Sequence, residues 1–206
     1  MNVPYTMKTL KRIYLIIAIL TTSYFHAQKL LNDSLFKDGD VIFIKNKKLI
    51  GSNLIPNGKT IYNYVGIVLI ENGAPVVYHA TEPVSSCGIN EFLNLSEGRS
   101  YKIRRMYEQE LLTNDVVSTM RSFAKAKLQM HYDNKLTLNN DELYNAEFVY
   151  KIYQACLGIP LTKPKALSAY KPDAVAIDFL TESYGVGILT EKLVIIGDIY
   201  NSEFLE

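Results

Sequence analysis

Four short stretches of this 206-residue chain carry side chains able to do chemistry. VVYHAT (76–81) holds His79, and SSCGIN (85–90) holds Cys87. The pair Tyr132-Asp133 follows a helical run, and YNAEFVYKIY (144–153) opens on Asn145, with Glu147 two residues on. A thiol, an imidazole and a carboxylate are the parts of nucleophilic acyl transfer, in which a base takes the nucleophile's proton and a third group orients the base. Yet the residue heading the stripe Phe148, Val149, Ile152, Tyr153 is an asparagine, which neither attacks a carbonyl nor carries a proton. Cys87, Cys156, His79 and His131 are too few and too irregularly spaced for a zinc site, so no metal or other cofactor is expected.

The elements that must position these groups follow from the pattern. KDGD (37–40) reads as a turn and VIFIK (41–45) as a strand. YNYVGIVLI (62–70) and APVVYHAT (74–81) flank a tight Asn-Gly turn, the signature of a hairpin. YKIRRM (101–106) is a further strand candidate, and KLVIIGDIYNS (192–202) is read as a closing strand. Helical spacing appears at Val116, Val117, Met120, Phe123, Ala124 and Leu128, through 145–157, and near Val175, Phe179 and Leu180. Gly158 and Pro160 stop the second of these helices. That helix starts either at Asn145 or nearer Asn139–Asp141, where Asn139 and Glu142 have capping-box spacing. Strands and helices are partly segregated, so the expected class is α+β, with helices packed on an antiparallel sheet.

The N-terminal stretch MKTLKRIYLIIAILTTSYFHA (7–27) places Lys8, Lys11 and Arg12 before the apolar run Ile13–Leu20, followed by small and polar residues. This is the layout of a secretory signal peptide over residues 1–27, with cleavage between Ala27 and Gln28, and residues 28–206 form one domain. The apolar run falls far short of the ~20 residues needed to span a bilayer, so no stable membrane span is expected after cleavage. Removing residues 1–27 moves the formal charge from +1 to −2, which argues against a nucleic-acid partner. An exported protein, periplasmic or secreted, is expected. Export permits a disulfide between Cys87 and Cys156, but sequence does not say whether they are close.

GDVIF (39–43), YVGIVLI (64–70), VVYHAT (76–81), YNAEFVYKIY (144–153) and LVIIGDIYNSEFL (193–205) fall in the order of a known family. The chain resembles the circularly permuted papain-like hydrolases of the NlpC superfamily, of the YiiX and YaeF type, over nearly all of residues 28–206. The resemblance implies that fold, an antiparallel sheet or barrel packed against helices, and an amidase or peptidase ancestry. In the family, the stretch matching Tyr64-Val65-Gly66-Ile67 reads His-Val-Gly-Ile and its His is the general base. The stretch matching Asn145 to Val149 reads Cys-Ser-Glu-Leu-Val and its Cys is the nucleophile. A third polar group on the next strand is matched by His79, and a Tyr-Asp pair by Tyr132 and Asp133.

Those roles meet the wrong residues here. A phenol of unperturbed pKa near ~10 is a poor base at neutral pH, and Asn145 is no nucleophile. The expectation is therefore a catalytically degenerate member whose cleft, with Tyr132, Asp133 and Glu147 as candidate binding residues, holds a small peptide, a cell-wall fragment or an acyl ligand. The alternative is a working hydrolase of amides, esters or thioesters with relocated machinery, drawn from His79, Asp133 and Cys87. What separates the two is whether a Cys, Ser or Thr sulfur or oxygen lies within hydrogen-bond reach of His79. Each residue also has a structural reading: Tyr64 as a strand aromatic, His79 as a hydrogen-bonded sheet histidine, and Glu147 as a first-turn carboxylate favoured by the helix dipole. Asp133 either holds a loop or faces the cleft. Cys156 continues the helix stripe and is expected in the core, and Cys87 in a loop.

Overall fold

A computed structural model describes residues 14–15, 35–49 and 60–206. The chain divides into two compact units, Met1–Phe36 and Lys37–Glu206. In the first, only residues 14–15 and 35–36 are described, so the expected signal peptide and its cleavage site lie almost wholly outside the described residues. Among the described residues no helix is long and apolar enough to cross a membrane.

The second unit is built on five strands: β1 (Val41–Asn46), β2 (Tyr64–Glu71), β3 (Ala74–His79), β4 (Ser85–Gly88) and β5 (Ser96–Arg104). They form one sheet in the order β4-β3-β2-β1-β5, antiparallel at every pairing. The hairpin expected from the Asn-Gly turn is present: Asn72 (φ 51°) and Gly73 (φ 78°) both adopt the left-handed region, as a twist-matched two-residue turn requires. Helix α1 (Ile89–Asn94) follows β4, and α2 (Asn114–Ala126) follows β5, starting where the Thr113 side chain caps the Val116 N–H.

Helix α3 (Asn145–Leu157) lies against β2 and β3. Phe148, Val149, Ile152 and Tyr153 bury one stripe against Val65, Ile67 and Leu69 of β2, Tyr78 and Ala80 at the end of β3, and Val41 and Phe43 of β1. The Tyr153 hydroxyl donates to the Gly39 carbonyl, and the Gly39 N–H in turn reaches the Val68 carbonyl, fixing the helix to the middle of β2. Gly158 (φ 70°) ends α3 in the left-handed conformation, as its sequence implies. Beyond it come β6 (Lys165–Ala166), α4 (Ala174–Tyr184), β7 (Lys192–Leu193) and α5 (Ile196–Tyr200).

Three expectations are corrected. The apolar run at 192–202 forms only the two-residue β7 and then helix α5, because Ile196 and Ile199 close over the core at helical spacing. Cys87 sits on edge strand β4 rather than in a loop, and Cys156 is half-buried against the core rather than inside it. Both cysteines are free thiols.

Candidate functional site

Strand register brings three chemistry-bearing side chains together. His79 pairs with Ser85 and Val77 with Cys87, so His79 and Cys87 stand diagonally on one face of the sheet. Tyr64 and Gly66 share that face from β2. A Cβ at Gly66 would lie 2.6 Å from Val77 Cγ1 and 3.0 Å from the Tyr78 carbonyl oxygen, so the glycine allows the close approach of β2 and β3 here. The Tyr64 Oη lies 2.8 Å from His79 Nδ1 and 3.1 Å from the Ala80 carbonyl oxygen. On the other side of the ring, Cys87 Sγ lies 3.4 Å from His79 Nε2. Phe92 of α1 closes the group, its ring 5.2 Å from that of His79 and 5.8 Å from that of Tyr64.

Proton positions follow from the acceptor at the end of the chain. A carbonyl only accepts, so the single Tyr64 O–H donates to Ala80. The phenol oxygen then accepts from Nδ1–H, which leaves Nε2 bare as an acceptor for the Cys87 S–H. Burial drives the imidazole down to about 4 and therefore neutral, and drives the Cys87 thiol up to about 12, with the Glu91 carboxylate adding to the latter. Burial also raises Tyr64 far above the usual phenol range, with Tyr132 and Cys87 contributing, so Tyr64 has no accessible phenolate with which to act as a base.

Asn145 is the first residue of α3, and Tyr144, in extended conformation, is the residue that caps it. The asparagine does not cap the helix. Its side chain is buried at 6% exposure and its amide oxygen meets no partner among the described residues. The Tyr144 hydroxyl is turned away to accept the Val194 N–H at 3.0 Å. The Tyr144 N–H goes to Glu147 Oε2 at 3.2 Å. Among the described residues no acceptor meets the backbone N–H of Asn145 or Ala146, which leaves the positive end of the helix open.

Glu147 is fully buried, with its Oε1 2.7 Å from Lys151 Nζ, yet desolvation outweighs that cation and holds the carboxyl near 7. Asp133 is buried with both oxygens spent on backbone: Oδ1 accepts from Lys135 and Leu136, and Oδ2 from Thr137. Of its two possible roles the geometry fits holding the loop. Tyr132 is half-buried, and burial with the Asp133 and Glu147 carboxylates raises its hydroxyl to about 12. Because Tyr132 also acts on Tyr64, it stands within electrostatic reach of both the sheet group and the α3 group. Among the described residues no three His, Cys, Asp or Glu side chains gather to hold a metal ion.

An antiparallel sheet with α3 packed on β2 and β3 fits the frame of a papain-like hydrolase, with the sheet and helix parts in permuted order. The model of the family described as "Permuted papain-like amidase enzyme, YaeF/YiiX, C92 family" matches residues 35–193, and the chain belongs to that family. It is 26% identical over 158 residues to the "Uncharacterized protein YiiX" of Escherichia coli (strain K12), covering 76% of this chain and 77% of that one. Its fold is similar to the crystal structure of a protein described as "metalloprotein yiiX" from Escherichia coli O157:H7, with a TM-score of 0.74 and 24% identity over 82% of this chain and 94% of the other.

Sequence reasoning named Tyr64, His79, Cys87, Tyr132, Asp133, Asn145 and Glu147 but not how they pair, and it missed Phe92, which closes the His79 group. The Cys87–His79 contact depends on a two-residue diagonal across β3 and β4, and nothing in SSCG marks a strand. The one signal in the sequence was parity: 79 and 87 share a face once the register is known.

Proposed function

We propose that this protein is an exported member of its family, degenerate at positions 64 and 145, that keeps the head of α3 as a binding site for a ligand bearing an amide, most simply a short peptide or cell-wall peptide. The observation that carries the reading is the buried, unpartnered amide oxygen of Asn145 beside the open N–H groups of the first helical turn. A buried acceptor left without a partner costs about 1–3 kcal/mol, and a ligand donor would recover that. The neighbouring N–H groups call for an acceptor. An amide supplies both, whereas an acyl chain supplies neither.

One observation links Tyr64 to the head of α3, although its side chain stands on the sheet face opposite the Val65, Ile67 and Leu69 stripe on which α3 packs. Tyr132 is felt by both groups. Loss of the inherited reaction rests on the chemistry of an amide at 145 and a high-pKa phenol at 64. The similar YiiX structure is described as that of a metalloprotein; among the described residues of this chain no three His, Cys, Asp or Glu side chains gather to fit a metal ion.

The test is calorimetric titration with a panel of N-acetyl dipeptide amides, murein peptides and fatty acids. Peptide amides should bind without turnover, and Asn145→Leu should weaken binding tenfold or more. Binding confined to fatty acids, or amide hydrolysis lost in Asn145→Leu, would overturn the reading.

A further inference from the structure

The hydrogen-bonded series Cys87–His79–Tyr64–Ala80 is a second arrangement of nucleophile, base and orienting group, offset from the positions the family uses. We infer that Cys87 is an acyl-accepting thiol served by His79 as general base, with Tyr64 as a positioning residue, and that it takes activated esters or thioesters. The inference does not depend on the peptide cleft at Asn145. The base here stands on β3 and the nucleophile on edge strand β4, and Tyr64 of β2 takes the orienting part.

The geometry is that of a working pair. Sγ stands 3.4 Å from Nε2, within hydrogen-bond reach for sulfur, and Cys87 is half-exposed while His79 is buried at 4% exposure. The tautomer is the one that base catalysis needs: Nδ1–H is held by Tyr64 Oη at 2.8 Å, and Nε2 is bare toward the thiol. Phe92 packs against the imidazole and excludes water from one side. The groups facing the pair are Tyr64 from β2, Tyr132 beyond it and Glu91 from α1, none of them cationic.

Among the described residues no cation faces the pair, and this sets the mode of reaction. A thiolate–imidazolium ion pair of the papain kind meets no stabilising charge among them, so the pair rests neutral. Proton transfer then accompanies attack, as it does for a serine and histidine. Sγ bonds to the acyl carbon while its proton passes to Nε2. The tetrahedral intermediate breaks its bond to the leaving thiolate or alkoxide, which takes the proton from Nε2. Water is then activated by Nε2, attacks the S-acyl carbon, and the proton returns to Sγ as the carbon–sulfur bond breaks. Esters and thioesters suit this centre because their leaving groups depart more readily than an amine.

A general-base thiol and a free thiol differ in pH profile, which the wild-type protein alone reveals. A free thiol reacts through its thiolate, so its rate climbs about tenfold per pH unit below its pKa. A thiol served by a neutral imidazole loses reactivity only as His79 takes a proton, near pH 4, and is flat above that. The probe is p-nitrophenyl acetate, followed by release of nitrophenol and by mass spectrometry of the acetylated cysteine. Cys156, whose sulfur meets no hydrogen-bond partner among the described residues, is the internal reference. Expected are acetylation of Cys87 at a rate constant within about twofold from pH 6 to 8, and a fall of tenfold or more in His79→Gln with a return to the steep slope. Tyr64→Phe should lower the rate less and move the acid limb, because Nδ1–H loses its acceptor. A wild-type Cys87 profile that climbs about tenfold per unit, or acetylation of Cys156 in preference, overturns the inference.

Discussion

The phenol of Tyr64 is committed at both ends: its oxygen accepts from His79 Nδ1 at 2.8 Å, and its proton goes to the Ala80 carbonyl at 3.1 Å. Beside that pairing, Gly66 on the same face lets β2 and β3 approach closely. Gly66→Ala is expected to destabilise the domain by about 1–3 kcal/mol, since the new methyl meets Val77 Cγ1 at 2.6 Å and the Tyr78 carbonyl at 3.0 Å. Urea unfolding measures the loss. An unchanged midpoint would show that β2 and β3 are not packed this closely.

A second prediction concerns Asp40, fully buried and held by the Arg105 Nε at 2.6 Å, Arg105 Nη2 at 2.7 Å and the Lys37 N–H at 2.8 Å. It ties the turn before β1 to the residue following β5. Asp40→Ala strands part of a buried ion pair and should cost about 3 kcal/mol. Chemical denaturation is again the readout, and a loss comparable to an exposed ion pair, below about 1 kcal/mol, would contradict the burial.

Much of this frame was legible beforehand. Asn72-Gly73 announced the hairpin, and the 3.6-residue stripe from Phe148 to Tyr153 with Gly158 announced α3 and its end. The misreadings share a cause. Strand β4 is a four-residue edge whose Ser85, Ser86 and Cys87 have no apolar alternation, and its pairing with β3 is a matter of backbone register alone. Val194 to Ile196 looks like strand because it is β-branched, but the core over β1 and α3 places Ile196 and Ile199 one helical turn apart. The state of Asn145 was least legible. Its residue type favours capping, yet Tyr144 takes that position and leaves the amide oxygen unpartnered.

The third prediction is a pH dependence. Glu147 is held near 7 in the folded chain by burial and is an ordinary carboxyl when unfolded. The folded state therefore binds the proton more tightly, so this residue's contribution to stability is greatest below the unfolded value and falls as pH rises through about 7. Groups around it are Lys151, Asp133, Tyr132 and the Tyr144 N–H. Glu147→Gln keeps an acceptor for that N–H and should remove this slope, gaining on the order of 2 kcal/mol relative to wild type between pH 5 and 8. Parallel unfolding curves for the two proteins across that range would rule out a carboxyl titrating there.

The last prediction places a thiol at 145 and an imidazole at 64, the positions to which the family resemblance assigns nucleophile and base. Asn145 is the first residue of α3, with neighbouring N–H groups that meet no acceptor among the described residues, so a thiolate placed there would face the positive helix end. Asn145→Cys alone should give a thiol moderately below the ~8.5 of a free cysteine but without turnover, because Tyr64 does not take its proton. Adding Tyr64→His puts an imidazole where the phenol stands, next to His79 Nδ1, which would donate to it and set its tautomer. Cys87 is changed to Ser in both variants so that only the new thiol reports. The readout is iodoacetamide reactivity against pH, then hydrolysis of amide and thioester substrates. The double variant should show a thiol pKa at least one unit below that of Asn145→Cys, together with measurable thioester hydrolysis. A double variant with the wild-type circular dichroism spectrum whose thiol titrates as a free cysteine would mean that positions 64 and 145 do not face one cleft, and the account of a site disarmed at those two positions would then fail.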